Sequence, residues 1–306
     1  MFNEYYSNGK LLLTGEYVVL DGYEGLALPT IYGQKLLVKT TAEKIINWTS
    51  YDYNNSVWFK NSYSIDNNGD IISLIKNDKI SHSLLSIFKG IQKLNPQIFN
   101  SSIGYDFKTK LSFARNWGLG SSSTLISNLA KWANIDPYKL LRLTFGGSGY
   151  DIACSFNNKP ILFNNSNNTN LVKECNFNPD FKEYIYFVYL GIKRNSQEAI
   201  KKYQNLKKSK SFSKSKFKLI NYELINSTKL QEFENILIEH EKIISNIINQ
   251  KTVRELLFKD YNSGVVKSLG AWGGDFILAT GKLEDMNYFK SKGYNTIFKY
   301  KDLIKQ

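Results

Sequence analysis

The sequence predicts a chain of mixed strands and helices with room for two domains. Three observations carry this. The chain has 306 residues, long for one core and comfortable for two. Apolar residues make up 42% of it and aromatic residues 14%, enough to bury real cores and well away from the composition of a disordered chain. The apolar periodicity also changes along the chain, from strand-like near the start to helical in the middle to strand, helix, strand at the end.

Taken in order, "KLLLTGEYVVLDGYEGLALPT" reads as strand, turn, strand, with apolar runs broken at Gly15 and at "DGYEG". "QKLLVKTTAEKIINWTSYDYNNSVWFKNSYSID" continues as β-rich sequence. "ISHSLLSIFKGIQKLN", Ile80 to Asn95, has helical spacing, and "IGYDFKTKLSFAR" returns to strand. In "RNWGLGSSSTLISNLAKW" a glycine and serine loop opens a helix whose Leu125, Ile126, Leu129, Ala130 and Ala133 share one face. "DPYKLLRLTF" starts another, with Asp136 as N-cap and Pro137 at the first helical position. Apolar residues run out at "NNSNNTN", Asn164 to Asn170, which places a domain boundary there and divides the chain into 1–168 and 169–306. Beyond it "YIYFVYLGI" reads as a buried strand and Thr228 to Tyr261 as mainly helical. "DFILATG", "LEDMNYFKSKG" and "YNTIFKY" then read as strand, helix and strand.

Composition excludes several classes. No stretch approaches the roughly 20 apolar residues of a membrane span, and "MFNEYYSNGK" lacks the basic and apolar regions of a signal peptide, so the expectation is a cytoplasmic protein without a membrane partner. The two cysteines, Cys154 and Cys175, suit neither a disulfide framework nor a zinc site. His82 reads as structural, and His240, inside "EFENILIEHEKIISNII", as a surface or boundary position. The formal net charge is +13, which raises nucleic acid as a partner. Part of the excess is local: "KKYQNLKKSKSFSKSKFK", Lys201 to Lys218, holds eight lysines and no acid. That run reads first as a solvated loop, with an electrostatic funnel for a phosphorylated substrate or a nucleic-acid patch as functional alternatives. No zinc-finger, RNP-type or helix-turn-helix pattern accompanies it, so nucleic acid is the weaker reading.

The loop "GLGSSS" lacks the closing Gly-Lys-Ser/Thr of a Walker A loop and the third glycine of the dinucleotide fingerprint. Its physics still favours phosphate. Glycines let backbone N–H groups converge on an anion, serines cap the helix and offer hydroxyls, and a helix N-terminus adds about half a positive charge. Three further segments strengthen this reading: "SNGKLLLTGEY" with Lys10 and Glu16, "GGSGYDIAC" with Asp151, and "VKSLGAWGGDFILATG" with a third glycine loop.

Together these segments resemble the GHMP kinases, named for galactokinase, homoserine kinase, mevalonate kinase and phosphomevalonate kinase. The resemblance runs from about Ser7 to Gly281 in family order. "NGKLLLTGEYVVLDG" looks like the first motif, "GLGSSST" like the second (Gly-Leu-Gly-Ser-Ser-Ala) and "SLGAWGGDF" like the third (Gly-Ala-Gly-Gly-Gly). "SGYD" fits Ser-Gly-x-Asp, and "KRNSQEAI" resembles the Arg-x-Ser/Thr segment. Two departures stand out: "FARNW" has no proline before the second motif, and Trp272 replaces a glycine in the third.

The resemblance implies an α+β, two-domain GHMP kinase fold, with an N-terminal ribosomal-protein-S5-domain-2-like domain and a C-terminal ferredoxin-like domain. It implies ATP and Mg²⁺ as cofactors and a small-molecule phosphate acceptor; it gives no oligomeric state. By the same resemblance Gly118, Leu119, Gly120, Ser121, Ser122 and Ser123 would hold the ATP phosphates, with Ser122 nearest the metal. Lys10 would stabilise charge on the transferred phosphoryl, and Asp151 would act as base or as orienter of the acceptor. Glu16, Tyr17, Ser148, Gly149, Arg194, Ser196, Gly270, Gly273 and Gly274 would face the acceptor, although Glu16 serves equally well as an ion partner of Lys10. Tyr17, "GSGYDIAC" and the "GGD" ending at Asp275 are similar to the phosphomevalonate branch, and the surplus of cations, Lys10, Lys193, Arg194, Arg115 and the lysine run among them, suits a phosphorylated acceptor. Mevalonate, a sugar or another small alcohol are the alternatives, and a binding module without catalysis is the non-enzymatic one.

Overall fold

The computed structural model describes residues 1–66, 70–75, 78–99, 103–166, 169–192, 196–206, 213–270, 272 and 274–306. The chain divides into two compact units. The first takes Met1–Gly9, Tyr32–Arg115 and Leu119–Phe156; the second takes Lys10–Ile31, Asn116–Gly118 and Asn157–Gln306.

The strands β1 (Asn3–Leu12) and β2 (Gly25–Thr41) each give part of their length to both units. The rest of the first unit is β3 (Ile45–Tyr51), β4 (Val57–Ile65), β5 (Ile71–Ser73), α1 (Lys79–Leu94), β6 (Gly104–Leu111), α2 (Ser121–Ala133), α3 (Pro137–Thr144) and α4 (Tyr150–Phe156). Its strands lie in the order β5-β4-β3-β6-β2. All neighbours are antiparallel except β3 and β6, which run parallel across the connection that contains α1. The helix signals act as the sequence implies. Asp78 caps α1 by accepting from the N–H groups of Ile80 and Ser81, and Asp136 caps α3 ahead of Pro137.

Helix faces and sheet share one core, in which Leu84, Ile87, Phe88 and Ile91 of α1 and Ile126, Leu129, Ala130 and Ala133 of α2 meet Trp48, Phe59 and Phe107. Phe88 stands at its centre, packed edge-on to Trp48 and Tyr63 at ring separations of 5.9 and 5.4 Å. A buried polar chain fixes α2 to the strands beside it. Ser7 Oγ donates to Asn128 Oδ1, Asn128 Nδ2 to the Gln34 carbonyl, and Thr124 Oγ1 to Gln34 Oε1, each at 2.8 Å.

In the second unit, β7 (Ile161–Ser166) and β8 (Thr169–Glu174) form a hairpin beside the start of β2. There follow β9 (Ile185–Tyr189), α5 (Ser196–Leu206), α6 (Lys214–Asn226), α7 (Leu230–Ile248), α8 (Val253–Leu257), β10 (Val266–Ser268), β11 (Phe276–Thr280), α9 (Asn287–Ser291), β12 (Ile297–Lys299) and α10 (Tyr300–Leu303). A second antiparallel sheet runs β10-β11-β9-β12. Its central strands, β9 and β11, are buried throughout, which accounts for the unbroken apolar runs "IYFVY" and "FILAT".

Several sequence expectations change here. The asparagine-rich run is a hairpin, with Ser166 paired to Thr169; the expected boundary at 168/169 falls on 167–168, outside the described residues. Val18–Asp21, read as strand, forms a turn of 3-10 helix. The lysine run is not one loop, since Lys201 and Lys202 lie in α5 and Lys214, Lys216 and Lys218 in α6, while 207–212 lie outside the described residues. Among the described residues, no helix is long and apolar enough to cross a membrane.

Truncating Phe88 to alanine leaves a cavity among four rings and is expected to cost about 3–5 kcal/mol. Urea unfolding followed by tryptophan fluorescence tests this through a lowered midpoint at an unchanged slope.

Candidate active site

The motif residues are distributed over both units. In the first unit, the second glycine motif ends in helix α2. Gly120 is its N-cap and adopts φ 92°, ψ 43°, a left-handed conformation costly for any side chain. Gly120 has no side chain to cap the helix, and among the described residues no other side chain does so. The expectation that the serines do so is overturned: Ser123 Oγ turns back and donates to the Gly120 carbonyl at 2.9 Å. Among the described residues no side-chain acceptor reaches the first-turn N–H groups, and a helix end of this kind can receive an anion. Ser121 is half-buried, Ser122 exposed and Ser123 buried, and Leu119 is fully buried beneath them. The Ser122 hydroxyl therefore stands on the open side of the first turn, where it fits as one ligand of a Mg²⁺ that keeps waters and phosphate oxygens as its others. Among the described residues, no three His, Cys, Asp or Glu side chains gather as a ready cation cage.

The same unit carries Ser148, Gly149 and Asp151 at the start of α4. Ser148 is nearly buried and its Oγ accepts from the Tyr150 N–H at 3.5 Å. Asp151 lies in the first turn of α4, half-buried, with Oδ1 accepting from the Ile152 N–H at 3.0 Å. Helix α4 is held beside α2 by a hydroxyl pair, Ser127 and Ser155, at 2.5 Å.

In the second unit, Lys10 Nζ donates to the Gly118 carbonyl at 3.2 Å. Gly118 has φ 70°, and a Cβ built on it would stand 2.3 Å from the Asp275 carboxylate. Residues of the first, second and third motifs thus meet at one glycine. The neighbouring Trp117 packs against Phe298, Phe276 and Tyr189 at ring separations of 5.0, 6.2 and 6.5 Å.

Glu16 is 1% exposed. Its ion partner is Lys267, at 2.5 Å, rather than Lys10. Lys267 is itself fully buried, donates to the Ser268 carbonyl at 2.8 Å and lies 3.7 Å from Glu241. Glu241 in turn accepts from the Ser268 N–H and hydroxyl at 3.0 and 2.6 Å. The carboxylate that was expected to face the acceptor is enclosed in an ionic core. Burial pushes Glu16 up to about 7 against the attraction of Lys267, with Glu241 adding to the rise. Burial also raises Glu241, partly offset by Lys267.

His240 is fully buried, not a surface or boundary residue. Its position on α7 matches that of Phe233, Leu237, Glu241, Ile244 and Ile248 on the inward face. Its Nε2 accepts from the Gly15 N–H at 2.9 Å, which requires the neutral ring. Burial and then Lys267 hold its pKa well below the ordinary value.

Tyr17 sits at the centre of a γ-turn: φ is 63°, ψ is −50°, and the Val18 N–H reaches the Glu16 carbonyl at 2.8 Å. This is the rarer, strained hand of that turn. Its ring is buried against Tyr203 of α5 at 5.6 Å, and both belong to a cluster with Val18, Phe217, Ile244, Ile248 and Trp272. Trp272 is therefore not displayed by the glycine loop but turned into the core beneath it. Gly270 borders open space and Gly274 is buried. Arg194 and Gly273, like Lys193, lie outside the described residues, and Ser196 opens α5. Sequence reasoning missed Lys267, whose signal was a lone lysine in the apolar strand ahead of the third motif.

Replacing Trp272 with glycine, the residue of the family pattern, empties this cluster and is expected to destabilise the chain by about 3–5 kcal/mol, read by thermal or urea unfolding. The ionic core sets a pH dependence. Glu16, raised from 4.5 to about 7 in the fold, contributes stability that is full below about 4.5 and lost as pH rises to about 7. His240, lowered in the fold, has the opposite sign and costs stability as pH falls below its ordinary 6.5. Glu241→Gln removes only the like-charge part of the rise and leaves the larger part caused by burial, so urea unfolding from pH 5 to 8 should show the Glu16-linked loss reduced but still present beside the His240-linked rise.

No protein-family model and no curated protein matches the chain. Solved structures do. The L. major mevalonate kinase in complex with R-mevalonate aligns with TM-score 0.66 at 14% identity, over 97% of this chain and 94% of that one. The Streptococcus pneumoniae phosphomevalonate kinase in complex with phosphomevalonate and AMPPNP gives 0.66 at 13%, over 97% and 99%. The Lactococcus lactis galactokinase complexed with galactose gives 0.68 at 12%, over 97% and 92%. Near-complete coverage of kinases with different acceptors, at identities this low, speaks for architecture, and the chain has the fold of the GHMP kinases.

Proposed function

We propose that the chain is an ATP-dependent small-molecule kinase of the GHMP type, with phosphomevalonate as the favoured acceptor. The observation that carries the reading is the N-terminus of α2, capped by no side chain among the described residues, on the motif whose first glycine takes the Lys10 ammonium. Backbone N–H groups at such an end hold phosphate without any charged residue. On this reading the first unit is the ribosomal-protein-S5-domain-2-like part of the fold and the second the ferredoxin-like part.

Phosphoryl transfer depends on positioning and on neutralising charge more than on covalent help. Gly120 to Ser123 would receive ATP phosphates at the α2 amides, and Lys10 would stabilise negative charge developing on the transferred group. A Mg²⁺ ion held partly by Ser122 would neutralise phosphate charge when bound. Asp151 has two roles according to the acceptor. A hydroxyl has a high pKa and gains from a base. A phosphate monoester, with a second pKa of roughly 6, is already anionic near neutral pH, so there Asp151 orients rather than abstracts. Tyr17 and Asp275 favour the phosphorylated acceptor by resemblance, and the charge of +13 favours it by electrostatics.

The experiment is ADP release from Mg-ATP with mevalonate, phosphomevalonate and galactose offered separately. Turnover on phosphomevalonate is expected, falling at least about 100-fold in Asp151→Ala. Turnover on mevalonate or galactose alone would reassign the acceptor within the same chemistry, and ATP binding without turnover on any of the three would sink this assignment.

A further inference from the structure

We propose that Asp275 is a positioning residue: its carboxylate, packed against Gly118 on the face that lacks a side chain, clamps the first glycine of the phosphate motif and sets the Lys10 ammonium that holds the same glycine by its carbonyl. The inference rests on the kinase reading above.

The fit between the two residues is mutual. A Cβ on Gly118 would lie 2.3 Å from both Cγ and Oδ2 of Asp275 and 2.7 Å from Oδ1, so the carboxylate occupies space that only glycine leaves open. Asp275 cannot easily retreat. Its N–H donates to the Ile192 carbonyl and its carbonyl accepts from the Leu190 N–H, both at 2.7 Å. Its φ of 48° is a left-handed conformation that few residues other than glycine, asparagine and aspartate adopt at small cost. The segment it presses on is equally fixed. Tyr189 Oη donates to the Asn116 carbonyl at 3.0 Å, and Trp117 is seated among three aromatic rings. The Tyr189 phenol beside it is raised first by burial and then by the carboxylate of Asp275. A single glycine therefore separates an ammonium at its carbonyl from a carboxylate at its Cα. Such an arrangement favours the charged form of the lysine and limits where its Nζ can go.

Two measurements test this. Asp275→Asn keeps the size and the tolerance for left-handed backbone but removes the charge. It is expected to lower kcat on the order of 10- to 100-fold, with the KM of the acceptor unchanged and the basic limb of the pH–kcat profile moved to lower pH as Lys10 loses its neighbour. The second is a double-mutant cycle of Gly118→Ala and Asp275→Ala, read in unfolding midpoint as well as in kcat. The alanine at 118 should cost about tenfold less in kcat when residue 275 is alanine than when it is aspartate. If Gly118→Ala does not fold, the Asp275→Asn pH profile decides alone. An active wild type with an additive cycle, or an Asp275→Asn enzyme with wild-type kcat and pH profile, overturns the inference and leaves the kinase reading standing. A wild type silent toward all three acceptors overturns both.

Discussion

The second unit is organised around one buried ion pair, Lys267 with Glu16, 2.5 Å apart and closed to water. Taking two charges out of water is costly, and such a pair holds only when further hydrogen bonds complete it; removal of one partner from a pair of this kind costs about 3–5 kcal/mol. Here the completion comes on the lysine side, from the Ser268 carbonyl and from Glu241, which Ser268 holds in turn. The pair sits at the junction of three segments distant in sequence: the turn after β1, helix α7 and strand β10. The Gly15–Tyr17 turn is pinned by it on one side and by aromatic packing on the other, which is what allows Tyr17 to keep a backbone conformation that open chain would not retain.

Around α2 the fold makes the opposite choice. Its sides are tied down by a buried chain of amides and hydroxyls, while among the described residues no side chain caps its N-terminus. Some helices carry their caps, Asp78 for α1, Asp136 for α3 and a full capping box, Thr252 with Glu255, for α8, while α7, α9 and α10 share with α2 the lack of a side-chain cap. A capping serine or aspartate at α2 would contribute about 1 kcal/mol; what sets α2 apart from the other uncapped helices is the glycine loop that precedes it, which reads as a phosphate cradle.

Much of this was legible in the sequence where local signals and tertiary packing agree. Asp136 and Pro137 announce α3, the spacing of Leu84, Phe88 and Ile91 announces α1, and the order of the glycine motifs announces the fold. Legibility fails where packing overrides residue type. Lys267 lies in a strand buried on both faces, so period two says nothing about which way it points. His240 occupies the apolar phase of α7, yet its polarity suggests the other side. The two valines after Tyr17 have strand propensity, but the γ-turn at Tyr17 sends them into a 3-10 turn. The serines of α2 have the composition of a cap and not its geometry, because Gly120 has already taken the N-cap position.

The departure of the third motif from the family pattern acquires a meaning from the aromatic cluster. An indole at 272 fills a volume that also receives the rings of Tyr17 and Tyr203, the one from the first motif and the other from α5. These three positions belong to one packed cluster, so a change of bulk at one bears on the others. A glycine at 272 demands more bulk at 17 or 203, and a smaller residue at 17 demands that 272 stay large. The tryptophan is one side of a steric exchange among segments that are far apart in the chain, and homologous chains with glycine at this point should show the compensation at the other two.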